Sequence, residues 1–144
     1  MATMKEVADE AQVSIATVSR VLNNSGYVSP NLELRVRTAM EKLQYHPSQL
    51  ARSLRRQETR TIGVLIPQLD QPFFSTLAYA IEKSLFAQDY RTLICSAEEN
   101  DDKEKEYIEM LLRQRVEGVV VVPTGHSPEN LAPLAQRDIA IVIV

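Results

Sequence analysis

The sequence has no Trp, a single Cys, two His and only four Gly in 144 residues. Each scarcity removes a class of function. One cysteine, Cys95, excludes an internal disulfide and suits a reducing cytoplasm. It sits inside an apolar stretch and reads as an inert core thiol. The glycines form no phosphate-cradling loop, so no nucleotide-binding fingerprint is present. His46 and His126 fall in different parts of the chain. No nucleophile, base and orienting group belong together, which argues against an enzyme. Long apolar runs are missing too. VVVV at 119–122 and IAIVIV at 139–144 are far too short to span a bilayer and read as buried strands. The N-terminus lacks a basic-then-apolar signal pattern. The expected localisation is therefore cytoplasmic, with no membrane partner.

What is present is a composition of 44% hydrophobic and 24% charged residues, enough for one ordinary domain or for one small and one partial domain. The net charge of −3 hides an asymmetry. Residues 1–60 hold nine Lys/Arg against six Asp/Glu, and residues 61–144 hold seven against thirteen. A basic first part joined to an acidic second part suggests a nucleic-acid module attached to something else.

The basic part begins with TMKEVADEAQVSIATVSRVL, residues 3–22. Thr3 and Glu6 are spaced as a capping box. Val7, Ala8 and Ala11 give the first helix an apolar face. Gln12 and Val13 make a corner, and Ser14 can cap a second helix that turns Val18, Val21 and Leu22 inward. Ile15, Ala16, Thr17 and Arg20 are left at its front and outer side, with an inward Ile15 as the alternative. A helix-turn-helix reads base edges with the N-terminal part of its second helix. Ile15 and Ala16 suit thymine methyls, and Arg20 suits a guanine. Ser14, Thr17 and Ser19 are short donors suited to phosphates, although Ser19 reads equally well as a solvated serine.

Ser29-Pro30 opens a third helix with an apolar stripe of Leu32, Val36, Ala39, Met40 and Leu43. Tyr45-His46-Pro47 stops it. SQLARSLRR at 48–56 then sets Leu50 and Leu54 on one face among Arg52, Arg55 and Arg56. A basic linker is the plain reading, but an apolar wedge among cations is what minor-groove kinking requires.

From residue 61 the pattern changes to strands at 61–67, 91–97, 118–122 and 139–144, alternating with helices. The helices are expected at about 74–85, 101–115 and 127–136. Near-continuous apolar strands between helices indicate a parallel α/β sheet. Ligands of such sheets sit beyond the strands' carboxyl ends. The acidic run EENDDKEKE at 98–106 has no Gly for a calcium loop and reads as a solvated helix start. No metal and no cofactor are expected. The last strand ends at Val144 without a closing element, so the chain reads as stopping inside a larger domain.

The motifs VA-x-x-A-x-VS-x-x-TVSRVLN, Y-x-P and LARSLR, followed by TIGVLIP, resemble the lactose-repressor (LacI/GalR) family of bacterial transcription regulators. The resemblance runs over essentially the whole chain. It implies an all-α helix-turn-helix domain (1–46), a hinge helix and linker (47–60), and part of a periplasmic-binding-protein-like α/β lobe for effector binding and dimerisation (61–144). It implies base reading by Ile15, Ala16 and Arg20, and DNA-backbone contacts by Ser14, Thr17, Asn23 and Tyr45. Leu54 is implied as a minor-groove wedge, with Ala51 and Arg55 beside it. The implied partners are a palindromic double-stranded DNA operator, a second copy of the chain and a sugar-like effector. Asp70 and one of Phe73 and Phe74 match the first ligand loop of sugar-binding relatives. Phe74 also fits its helix's apolar stripe, which favours Phe73. Two other functions share this fold: a small-ligand binding protein, and a shortened protein forming mixed dimers with a full-length relative.

Overall fold

The computed structural model describes residues 1–48, 52 and 58–144. The chain divides into two compact units, Met1–Arg56 and Gln57–Val144.

The first unit contains α1 (Met4–Ala11), α2 (Ile15–Asn23) and α3 (Pro30–Lys42). Its core is small: Val7, Ala8, Ala11, Val18, Val21, Val36 and Ala39, bordered by Met4, Val13, Leu22, Val28, Met40, Leu43 and Tyr45. All three helices start on a side-chain cap. Thr3 and Glu6 form the full capping box, Ser14 Oγ accepts from the Thr17 amide, and Ser29 Oγ accepts from the Leu32 amide. Each cap satisfies one of the amides that a helix start leaves without a partner. A core of seven mostly small side chains supplies little burial, so these local devices matter to the unit's stability.

The second unit alternates β1 (Thr61–Ile66), α4 (Pro72–Phe86), β2 (Arg91–Ser96), α5 (Asp101–Arg113) and β3 (Gly118–Val121). A 3-10 turn (Pro128–Leu131), α6 (Ala132–Gln136) and β4 (Ala140–Ile143) follow. The strands form one sheet in the order β2-β1-β3-β4, and every pairing is parallel. Side-chain alternation along the strands sends Val64 and Ile66 to one face, where they meet Phe74, Ala78 and Ile81 of α4. Leu65, Cys95, Val119 and Val121 face the other way, onto Ile108 and Leu111 of α5 and Leu134 of α6.

Three sequence expectations need correction. The stretch 127–136 is not one helix. Pro133 has no N–H to continue the ladder from Pro128, so a 3-10 turn precedes a separate α-helix that starts at Ala132. The last strand is not buried: Val142, Ile143 and Val144 are 56%, 63% and 57% exposed, because β4 is a sheet edge. The acidic run is not wholly solvated. Glu104 is 2% exposed, because the face of α5 it shares with Asp101 turns toward the polar loop after β3.

Candidate nucleic-acid interface

The site is the outer face of α2, and it is built from the corner that precedes it. α1 ends with Gln12 in the left-handed region, φ 53°. The Gln12 amide donates to Asp9 O at 3.2 Å and the Val13 amide to Ala8 O at 3.0 Å, closing a tight turn. Ser14 leaves that turn extended and caps α2. Its Oγ accepts from the Thr17 amide at 3.1 Å and lies 2.9 Å from Thr17 Oγ1.

Helical periodicity then divides α2 into two faces. Val18 and Val21 are buried against α1 and α3, with Leu22 at the margin. Ile15, Ala16 and Arg20 are exposed. Ile15 is 49% exposed, which decides between the inward and outward readings in favour of outward. An aliphatic side chain held half in water at a helix N-terminus contributes little to folding and is available to a partner. Thr17 is half-buried, and its hydroxyl is engaged with Ser14. Asn23 Nδ2 donates to Ser19 O at 2.8 Å and to Ser19 Oγ at 3.2 Å. Tyr45 is half-buried against the helical core, with its amide bonded to Met40 O.

The arginines of this unit differ in their commitments. Arg37 pairs with Glu33 on the same helix at 2.7 Å. Arg35 Nη2 donates to the carbonyls of Ala11 at 2.6 Å and Gln12 at 3.1 Å. Arg52 Nη2 donates to Leu22 O at 2.8 Å, near the end of α2. Among the described residues, no salt bridge involves Arg20. Arg20 is thus an exposed cation on α2, one turn after Ala16. The carbonyl contacts of Arg35 and Arg52 carry no sequence signature and were missed at that level. Ala51, Leu54 and Arg55, expected from the sequence as hinge residues, lie outside the described residues.

In the second unit, Asp70 and Phe73 both sit exposed after the carboxyl end of β1. The Leu69 amide holds this loop to Ser96 Oγ at the end of β2, 3.1 Å away. Phe73 is 68% exposed and meets the Phe74 ring edge-to-face, with centroids 5.2 Å apart. Phe74 packs on the Val64, Ile66 and Ala78 cluster. One ring is therefore structural and the other is presented. A polar network missed by sequence lies beyond β3. Thr124 and Ser127 donate to the Asp101 carboxylate at 3.1 and 2.7 Å, and Asn130 Nδ2 donates to Asp101 O and Glu104 Oε1. The i,i+3 spacing of Asp101 and Glu104 was the only sequence signal that they share a face. Among the described residues, no His/Cys/Asp/Glu group could hold a metal ion, and no helix is long and apolar enough to cross a membrane.

Residues 3–48 match the family described as bacterial regulatory proteins, lacI family. Residues 59–144 match periplasmic binding proteins and sugar binding domain of LacI family. The chain is 42% identical over 117 residues to the sucrose operon repressor of Pediococcus pentosaceus, covering 81% of this chain and 36% of that one. It is 40% identical to the HTH-type transcriptional regulator RegA of Clostridium acetobutylicum, covering 99% of this chain and 43% of that one. Among solved structures, the lac repressor dimer bound to operator and the anti-inducer ONPF superposes with a TM-score of 0.85 at 26% identity, covering 99% of this chain and 44% of that chain. A LacI-family regulator from Silicibacter pomeroyi gives 0.84 at 29% identity, covering 99% and 43%. The chain spans less than half the length of each of these relatives.

Proposed function

Because this chain belongs to the lacI family of bacterial regulatory proteins, we propose that it is a cytoplasmic transcriptional repressor, not an enzyme, that binds a palindromic DNA operator as a homodimer. The observation that carries the reading is the division of α2 into a buried Val18/Val21 face and an exposed Ile15/Ala16/Arg20 face. A helix spends a face on water when that face has a partner or no task. Here it holds two apolar side chains and an uncommitted guanidinium at the position from which recognition helices read bases.

Residues 1–46 read the major groove, residues 47–60 form the hinge, and residues 61–144 form an effector-binding and dimerisation lobe. Arg20 pairs with a guanine, while Ile15 and Ala16 meet thymine methyls. Ser14, Thr17, Asn23 and Tyr45 hold the DNA backbone and fix register. In the hinge, Leu54 is the wedge that enters the minor groove, with Ala51 and Arg55 beside it. The effector is a sugar or related metabolite, with Phe73 stacking on its ring and Asp70 bonding a hydroxyl. The presented Phe73 ring supports that assignment.

The test is selection of duplexes from a random pool by the whole chain, followed by affinity measurements on the selected site. Arg20→Ala is expected to cost roughly 1–3 kcal/mol and to relax preference at one base pair. Leu54→Ala is expected to weaken the selected site far more than scrambled DNA. Equal losses on both duplexes remove the wedge from the account, and a chain that selects no sequence overturns the reading.

A further inference from the structure

We infer that Arg35, on α3, is a positioning residue for DNA recognition: it holds the corner between α1 and α2 and thereby fixes how the exposed face of α2 is presented. The inference rests on the DNA-binding reading of that face.

The physical need comes from the corner itself. α1 is only eight residues long and has no basic residue in its last turn. Its terminal carbonyls therefore keep the partial negative charge of a helix C-terminus without a local cation. Gln12 then adopts a left-handed conformation that a non-glycine residue takes at some cost. A corner built this way needs support from outside the motif. Arg35 supplies it from 23 and 24 residues away, with one Nη2 bridging the carbonyls of Ala11 and Gln12. These are the last residue of α1 and the left-handed residue itself.

The arrangement is specific in three respects. The acceptors are backbone carbonyls of the turn, so the bond constrains the path of the chain directly. The carboxylate of Glu10 pairs with Lys42 at 2.5 Å, while Arg35 bonds the backbone carbonyls. Finally, α3 is anchored in the core by Val36 and Ala39, one and four residues after Arg35, so the guanidinium reaches the corner from a fixed base. Val18 and Val21, with Leu22 at the margin, hold the inner side of α2, and Arg52 bonds the carbonyl of Leu22 near its end, which leaves the N-terminal corner to Arg35. A roll of α2 displaces Arg20 and Ile15 along the groove, and a displacement of this kind reduces discrimination between sequences more than it reduces attraction to phosphates.

The experiment uses the whole chain, with Arg35→Gln and Arg35→Lys. Amide hydrogen exchange without DNA is read at Gln12 and Val13, the amides that close the turn. The expected result for Arg35→Gln is roughly tenfold faster exchange at these two amides than the change seen across α3, with Arg35→Lys recovering part of the protection. The second readout is the affinity ratio between a duplex selected by the wild-type chain and its scrambled version, measured well below the melting temperature. Arg35→Gln is expected to lower that ratio roughly tenfold with little change on scrambled DNA, and without altering the salt slope. A purely structural role would change the folded fraction and leave the ratio intact, so an unchanged ratio overturns the assignment. Unaltered exchange at Gln12 and Val13 does so too. Equal losses on both duplexes with a shallower salt slope would make Arg35 a phosphate contact and also overturn it. A wild-type chain that selects no duplex overturns the DNA-binding reading instead, which the exchange data would distinguish.

Discussion

Leu111 lies directly over Gly63: a Cβ at position 63 would fall 2.8 Å from both methyl carbons of the leucine. Gly63 is on the central strand β1, and Leu111 is fully buried on α5. The missing side chain lets the helix seat against the sheet. Gly63→Ala forces that leucine to move within a packed core, and overpacking of this kind costs typically 1–3 kcal/mol. The expected outcome is a lowered denaturant midpoint for the second unit. An unchanged midpoint would show that Leu111 has room to adjust.

Glu104 ties α5 to the loop beyond β3. Its carboxylate accepts from Asn130 Nδ2 at 3.2 Å and from the Thr124 amide at 3.4 Å. Glu104→Ala removes the acceptor of the Thr124 amide and one of the two acceptors of Asn130 Nδ2 in a part-buried place, at a cost of about 1–3 kcal/mol. Glu104→Gln keeps an acceptor oxygen and is expected to cost less. Chemical denaturation of the two variants checks the order, and equal losses would show that the charged carboxylate, rather than side-chain size or one acceptor oxygen, matters at this position.

The capping box predicts a titration. Hydrogen bonds from the Thr3 hydroxyl and amide hold the Glu6 carboxyl below its ordinary value of 4.5. A carboxyl lowered in the folded state adds stability above its unfolded value, and that contribution is lost as pH falls below 4.5 through the folded value. Carbon-detected titration of Glu6 is expected to show the depressed midpoint, and Thr3→Ala should return it toward 4.5. An unmoved midpoint in that variant would dissociate Thr3 from the effect.

Burial raises the Cys95 thiol from 9.0 to about 11. Because the folded value is the higher one, its contribution to stability is complete below pH 9 and is lost as pH rises toward 11. At pH 8 the thiolate fraction of the folded chain is about 100-fold lower than that of the unfolded chain. Alkylation of the native protein should be slower by at least that factor. Rapid native labelling would place the thiol in water.

The sequence revealed features whose causes are local. Thr3, Ser14 and Ser29 each cap a helix by accepting from the amide three residues on, so local spacing identified all three starts. The strands followed from apolar runs, and the packing of Phe74 against the sheet followed from the periodicity of α4. Features that depend on distant partners were hidden. Arg35 and Arg52 bond carbonyls 24 and 30 residues away, and every residue type offers the same carbonyl. Glu104 looked solvated because its environment comes from Thr124 and Asn130, in a loop that only the fold brings near. Ile15 sat on the boundary between faces and needed coordinates to be placed.

The order of strands also has a consequence for synthesis. The helical unit closes its core with residues up to Tyr45, all near in sequence. β1 is different: it pairs with β2 on one side, but its other neighbour is β3, where Ile62 meets Gly118. A nascent chain therefore completes its helical unit early, while the central strand of the sheet keeps one edge open until more than fifty further residues have left the ribosome. During that interval an apolar strand with unpaired backbone groups is exposed beside a finished helical unit. Cotranslational chaperone engagement is thus expected on the 61–121 stretch, and not on the helices that precede it.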